Sequence, residues 1–167
     1  MLAALTLATA LSAALPAAYP HACLTRHAHY VLRDDPKVTV EFGRYLIRPK
    51  DVASDLYLIY RTRHTGHTYW YSMDWGSDDI FKLYPIGRPD LPKFDSMKRD
   101  GDTVLSDKMT ILGADAGLNF IDEWAESPGQ APKYIFIPEL SDVMRHDPDA
   151  REALWTAFFI LKSCNKR

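Results

Sequence analysis

This sequence predicts an α+β domain, an antiparallel sheet with two main helices packed on one face, and three observations carry the prediction. Residues 55–84 alternate in polarity over three runs separated by turn signals, the pattern of a β-meander. Apolar residues recur at helical spacing over 115–126 and again over 148–164. The chain has 167 residues, 47% hydrophobic and 25% charged, which suits one globular domain with strands first and helices later.

The elements follow in order. Residues 1–22 carry no charged side chain, and the apolar stretch from Leu2 to Leu15 is too short to cross a bilayer, so they read as a signal peptide. Residues 23–167 then form a single exported domain, periplasmic or extracellular. Pro20-His21-Ala22 is a poor match to the residues that precede a lipidated cysteine. In an oxidising compartment the two cysteines, Cys23 and Cys164, are expected to form a disulfide. Val38, Val40 and Phe42 fall on one face of a strand in 37–47. Tyr45-Leu46-Ile47 resumes in shifted phase, which predicts a bulge at Gly43.

The meander is expected as strands near 55–63, 68–75 and 79–84. A two-residue loop at Thr65-Gly66 sets Tyr60 opposite Tyr71 and Leu58 opposite Met73. A three-residue loop at Gly76-Ser77-Asp78 sets Met73 opposite Phe81. Both registers keep the apolar side chains on one face, as burial requires. Pro85, Pro89 and Pro92 predict irregular chain over 85–103. A further strand is expected between Val104 and Leu112.

Asp115 is placed to cap the first helix, with Leu118, Ile121, Trp124 and Ala125 as its apolar stripe and Pro128-Gly129 as its stop. Tyr134-Ile135-Phe136-Ile137 reads as a buried strand within 133–137. Asp147 and Pro148 predict the start of the second helix, with Leu154, Ala157, Phe158, Leu161 and Cys164 along its buried side.

The chemistry is expressed by residue types rather than by a motif. With 20 Lys+Arg against 22 Asp+Glu and a net charge of -2, the chain is not a strongly basic nucleic-acid binder. Elbow, Gly-rich phosphate-loop and His-Glu-x-x-His strings are absent from the sequence, no catalytic residue is assigned and no cofactor is implied. His64 and His67 flank the hairpin turn, with His27-x-His29 offering two more imidazoles, and a zinc site needs three or four such ligands. Asp74, Asp78 and Asp79 do not match a calcium loop, nor do Asp95, Asp100 and Asp102. Glu123, Glu126 and Glu139 are the acids available for a glycosidase-like pair.

The outer face of the meander carries Tyr57, Ile59, Arg61, Trp70, Lys82 and Tyr84, residue types enriched in protein interfaces, with Arg61 expected over Trp70. These observations favour a protein that binds a macromolecular partner, in the manner of a periplasmic inhibitor or a toxin-neutralising immunity protein. The alternatives are an exported hydrolase with a histidine-centred site, with or without a metal, and a structural subunit of an envelope or secretion assembly.

Overall fold

A computed structural model describes residues 23–62, 66–78, 80–89, 108–146, 154 and 157–165. The expected signal peptide, His64, Asp79, Asp95, Asp100, Asp102, Asp147 and Pro148 lie outside the described residues.

The described residues build one curled antiparallel sheet of ten strands, a half-barrel, with the core on its concave side. After a single 3-10 turn at Thr25–His27 come β1 (Ala28–Leu32), β2 (Thr39–Arg44), β3 (Leu56–Arg61), β4 (Thr68–Trp75) and β5 (Phe81–Ile86). Then follow β6 (Met109–Thr110), β7 (Leu112–Ala114), β8 (Phe120–Ile121), β9 (Tyr134–Phe136), α1 (Leu140–His146) and β10 (Phe158–Cys164). Their order across the sheet is β6-β5-β4-β3-β2-β1-β10-β9-β7-β8.

One stretch of chain serves both ends of this sheet. Thr110 and Met109 pair with Lys82 and Leu83 of β5, while Leu112–Ala114 pair with β9. Between them the Ile111 N–H donates to the Phe81 carbonyl at 3.0 Å. The sheet must curl for this to happen, and curling satisfies backbone groups that an open edge would expose.

Alternation drives the packing. In β1 and β3 every second residue is buried: Ala28, Tyr30 and Leu32, then Leu56, Leu58 and Tyr60. Tyr69, Tyr71, Met73, Phe81, Leu83, Met109, Ile135 and Phe159 join them in the interior. The Tyr30 hydroxyl donates to the Pro132 carbonyl at 2.8 Å. One end is closed by the turn segment 122–130, where Trp124 packs edge-on to Phe42 with centroids 6.0 Å apart. Thr25 Oγ1 donates to the Trp124 carbonyl at 2.7 Å and Ser54 Oγ to the Ala125 carbonyl at 2.6 Å. Leu140 and Met144 of α1 reach the same core, beyond the C-terminal end of β9.

The α+β expectation with two main helices is therefore corrected: the structure is mostly antiparallel β, with one short helix among the described residues. In place of a helix over 115–126 there is a hairpin, β7 to β8, and then the turn segment. Asp115 does not begin a helix: its Oδ1 accepts from the N–H groups of Gly117 and Asn119 at 2.7 and 3.0 Å, fixing a turn. Leu118 and Glu123 have φ of 66° and 56°, incompatible with a right-handed helix.

Of the helix expected over 148–164, residues 148–153, 155 and 156 lie outside the described residues, and residues 158–164 form β10, paired to β1 on one side and β9 on the other. Helical spacing is imitated there by Ala157 and Leu161, but burial alternates, with Ala157 and Phe159 inside and Phe158 and Ile160 turned away. Two neighbouring strands outweigh a local helical pattern.

The meander lies where expected, but its registers differ by two residues. Tyr60 stands opposite Tyr69 and Leu58 opposite Tyr71, while Met73 stands opposite Leu83 and Trp75 opposite Phe81. A shift of two keeps every side chain on its face, so the burial pattern could not separate the two registers. Pro85 extends β5 beyond the expected end, opposite Tyr71. Gly43 carries no bulge, since the β2–β3 ladder runs unbroken through Arg44, and Leu46 and Ile47 are exposed instead of resuming the strand. The sheet's register shift lies in β1, between His29 and Tyr30. The strand at 133–137 appears as β9, and the strand expected between Val104 and Leu112 is represented by β6 and the start of β7.

The expected disulfide is present. Cys23 and Cys164 are bonded with Cα atoms 5.7 Å apart, and Cys164 sits opposite Ala28 where β10 meets β1. Among the described residues no helix is long and apolar enough to cross a membrane.

Candidate functional site

Strand pairing assembles the outer, convex face in rows. One row runs Glu41, Ile59, Trp70 and Ile86 across β2 to β5. The neighbouring row runs Gly43, Tyr57, Ser72 and Tyr84. Ile59, Trp70 and Ile86 are half-buried, as are Tyr57 and Tyr84 beside them. The sequence-predicted partner-binding residues Tyr57, Trp70 and Tyr84 are thus brought together, with Ile59 and Ile86 filling the spaces.

Glycine makes room for one of them. A Cβ on Gly43 would overlap the ring and hydroxyl of Tyr57, so the bare backbone there lets the phenol lie flat along β2. The Tyr57 ring also meets that of Tyr45, with centroids 5.0 Å apart. Tyr45 itself is buried, and burial pushes its hydroxyl's pKa well above the ordinary phenol value. At the other end of the row the Lys108 ammonium lies 5.3 Å from the Tyr84 ring centroid.

The cations predicted for this face are drawn into bonds along it. Arg61 stands opposite Thr68, not Trp70, and its Nη1 donates to Glu41 Oε2 at 2.6 Å. His29 Nδ1 lies 2.9 Å from the other oxygen of Glu41. Burial pushes the Glu41 pKa up, but hydrogen bonds and charge from Arg61 and His29 outweigh it and hold the carboxyl below its ordinary value. Lys82 donates to Asp78 Oδ2 at 2.8 Å and to Thr110 Oγ1 at 3.3 Å. Thr110 in turn gives its N–H and its hydroxyl to Glu139 at 2.9 and 2.8 Å. Lys82 is only 13% exposed, so its charge serves this chain of bonds between β5, β6 and the start of α1.

The metal-site candidates divide. His64 is outside the described residues, whereas His67 is described, with its ring 6.3 Å from that of Tyr69. His27 Nε2 accepts from Arg26 Nε at 3.1 Å, and His29 is taken by Glu41. Among the described residues no three His, Cys, Asp or Glu side chains are grouped to hold a metal ion. Of the acids considered as a pair, Glu139 is engaged by Thr110, while Glu123 and Glu126 lie in the turn segment.

Sequence reasoning missed a second feature at the end closed by Trp124. A cavity of about 40 Å³ opens between Trp75, Phe81, Ile111, Gly113, Phe120 and Trp124. Phe120, which lines it, is 69% exposed. A helix over 115–126 leaves Phe120 off its apolar stripe, and that misfit was the only signal in the sequence.

Comparison of the chain with protein families, with curated proteins and with solved structures finds no match in any of the three.

Proposed function

We propose that the protein is a small exported binding module that engages a protein partner through the outer face of β3 to β5. The observation that supports this reading is the row Ile59–Trp70–Ile86 flanked by Tyr57 and Tyr84: large side chains, partly exposed, on three adjacent strands. Aromatic anchors of this kind contribute most of the energy of protein interfaces because they bury much area at little entropic cost. Arg61, tied to Glu41, borders the face as a fixed polar rim residue, while Lys82 is held beneath it by Asp78 and Thr110. The concave side is filled by side chains, so binding on the convex side fits the packing better than a ligand held inside the curl. A compact disulfide-bonded domain of this kind suits a periplasmic inhibitor or an immunity protein that neutralises a toxin.

The test is affinity capture by residues 23–167 from the envelope and secreted fractions of the source cells. The expected result is one stoichiometric protein, bound about tenfold or more weakly by Trp70→Ala while the fold is kept. Tyr84→Ser is the second variant should Trp70→Ala unfold. Capture that neither variant weakens, or no capture by the folded domain, overturns the proposal.

A further inference from the structure

The loop between β2 and β3 presents the two most exposed large hydrophobic side chains among the described residues, Leu46 at 99% and Ile47 at 87%. They do not project from slack chain. On one side Tyr45 is buried and gives its N–H to the Asp55 carbonyl at 3.1 Å. On the other side Val52 is buried, and its N–H reaches the Pro49 carbonyl at 3.3 Å. The Ala53 N–H donates to Asp74 Oδ1 at 3.1 Å, and Arg48 Nη1 donates to the Ala53 carbonyl at 3.0 Å. The loop is braced at both legs, and its aliphatic pair is held out into solvent.

Cations border the pair. Arg44, Arg48 and Lys50 are all exposed. The acids nearby are Asp51, Asp74 and Asp55, and Arg44 Nε bonds Asp55 Oδ2 at 3.1 Å. Arg48 and Lys50 follow the tip directly on its C-terminal side, ahead of the exposed Asp51.

We propose that this loop is an interfacial anchor for an anionic lipid bilayer: Leu46 and Ile47 enter the boundary between headgroups and acyl chains, while Arg48 and Lys50 lie on the lipid phosphates. A bilayer suits the tip because it offers a fluid apolar layer that needs no shaped pocket, roofed by negative charge that matches the flanking cations. Protein hot spots favour Trp, Tyr and Arg seated in pockets, which describes the outer face of β3 to β5 better than this loop. Two aliphatic side chains and two cations give reversible attachment that weakens with salt. The anchor is separate from the partner-binding face, and its test uses none of that face's residues.

The experiment is co-sedimentation of disulfide-bonded residues 23–167 with vesicles of phosphatidylcholine alone and of phosphatidylcholine mixed with phosphatidylglycerol. The expected result is binding to the anionic vesicles that falls with salt and drops about tenfold or more in Leu46→Asp/Ile47→Asp. Arg48→Glu/Lys50→Glu should abolish the preference for anionic lipid. In a second measurement, Leu46→Trp fluorescence should be quenched by brominated lipid, which keeps the proposal testable if the double aspartate variant fails to fold. No binding to anionic vesicles overturns the proposal, as does binding unchanged by both double variants. A dimer of the free chain that Leu46→Asp/Ile47→Asp dissolves, without vesicle binding, overturns it in favour of self-association.

Discussion

Gly113→Ala is the sharpest test of how this sheet is closed. Gly113 lies in β7 between Ile135 of β9 and Ile121 of β8, so its backbone is held from both sides. A Cβ there would overlap the Trp124 indole, reaching to 2.7 Å from Cε2 and 2.8 Å from Cδ1. The indole is 3% exposed, packed against Phe42 and attached to a backbone held by Thr25, so the room it has to shift is the small cavity it lines. Overpacking of this kind costs about 1–3 kcal/mol. Trp124→Ala alone should cost about 3–5 kcal/mol through the lost burial and the cavity left behind. If the clash is the cause, Gly113→Ala should cost little in the Trp124→Ala background. The coupling between the two sites should then be about 1–3 kcal/mol, comparable with couplings measured between contacting residues. Urea unfolding of the four proteins in the cycle, followed by near-ultraviolet circular dichroism, supplies the measurement. A penalty for Gly113→Ala that is the same with and without Trp124 would refute the close approach and leave only a backbone effect.

Two further outcomes follow from other parts of the structure. Because Glu41 titrates below its ordinary value in the folded chain, it contributes stability that is present above the unfolded carboxylate pKa and lost as pH falls through the folded one. Glu41→Gln should lower stability at neutral pH by about 1 kcal/mol, the scale of partly exposed ion pairs, and flatten the acid limb of a stability–pH curve; an unchanged acid limb would sink the assignment. For the disulfide, a sequence separation of 141 residues gives a chain-entropy contribution of about 5 kcal/mol as an upper figure. Cys23→Ser/Cys164→Ser should therefore unfold at a clearly lower urea midpoint, and a midpoint within error of the parent would mean that strand pairing alone holds the ends.

What was legible in the sequence was whatever rests on a period of two. Val38, Val40 and Phe42, and the alternating core side of 56–60 and 69–73, all occupy the predicted face. Register was not legible, because a slip of two residues preserves that face. The actual choice depends on turns longer than the tightest allowed: four residues separate Thr62 from His67, whose backbones bond to each other, counting both ends of the turn as paired. Trp70 therefore meets Ile59 rather than Arg61, which replaces a cation over a ring with an apolar row. Tyr57, Arg61, Trp70, Lys82 and Tyr84 were readable as a set because they share one face of one meander. The pairing of His29 with Glu41 was not readable, since it depends on β1 lying beside β2, and neither was the notch at Phe120, since it depends on Gly113 admitting Trp124.

The two mistaken helices have a common physical cause. Leu118, Ile121, Trp124 and Ala125 satisfy a helical period, as do Leu154, Ala157, Phe158, Leu161 and Cys164, and both segments carry acceptable caps. Each, however, adjoins the strand that closes the sheet. A helix over 158–164 would take β10 from between β1 and β9 and leave each with an unpaired edge, and a helix over 115–126 would take β8 from the free edge of β7. Burying a strand edge without partners costs more than a few turns of helix return, since a helix this short is marginal without packing. The aromatic and β-branched run Phe158-Phe159-Ile160 also fits a pleated sheet better than a helix. Closure is therefore a decision of the whole chain, and Cys164 belongs to it. At the end of β10, opposite Ala28, its bond to Cys23 fastens the segment that leads into β1 to β10, so the disulfide reinforces the same seam that overrode the local helical signal.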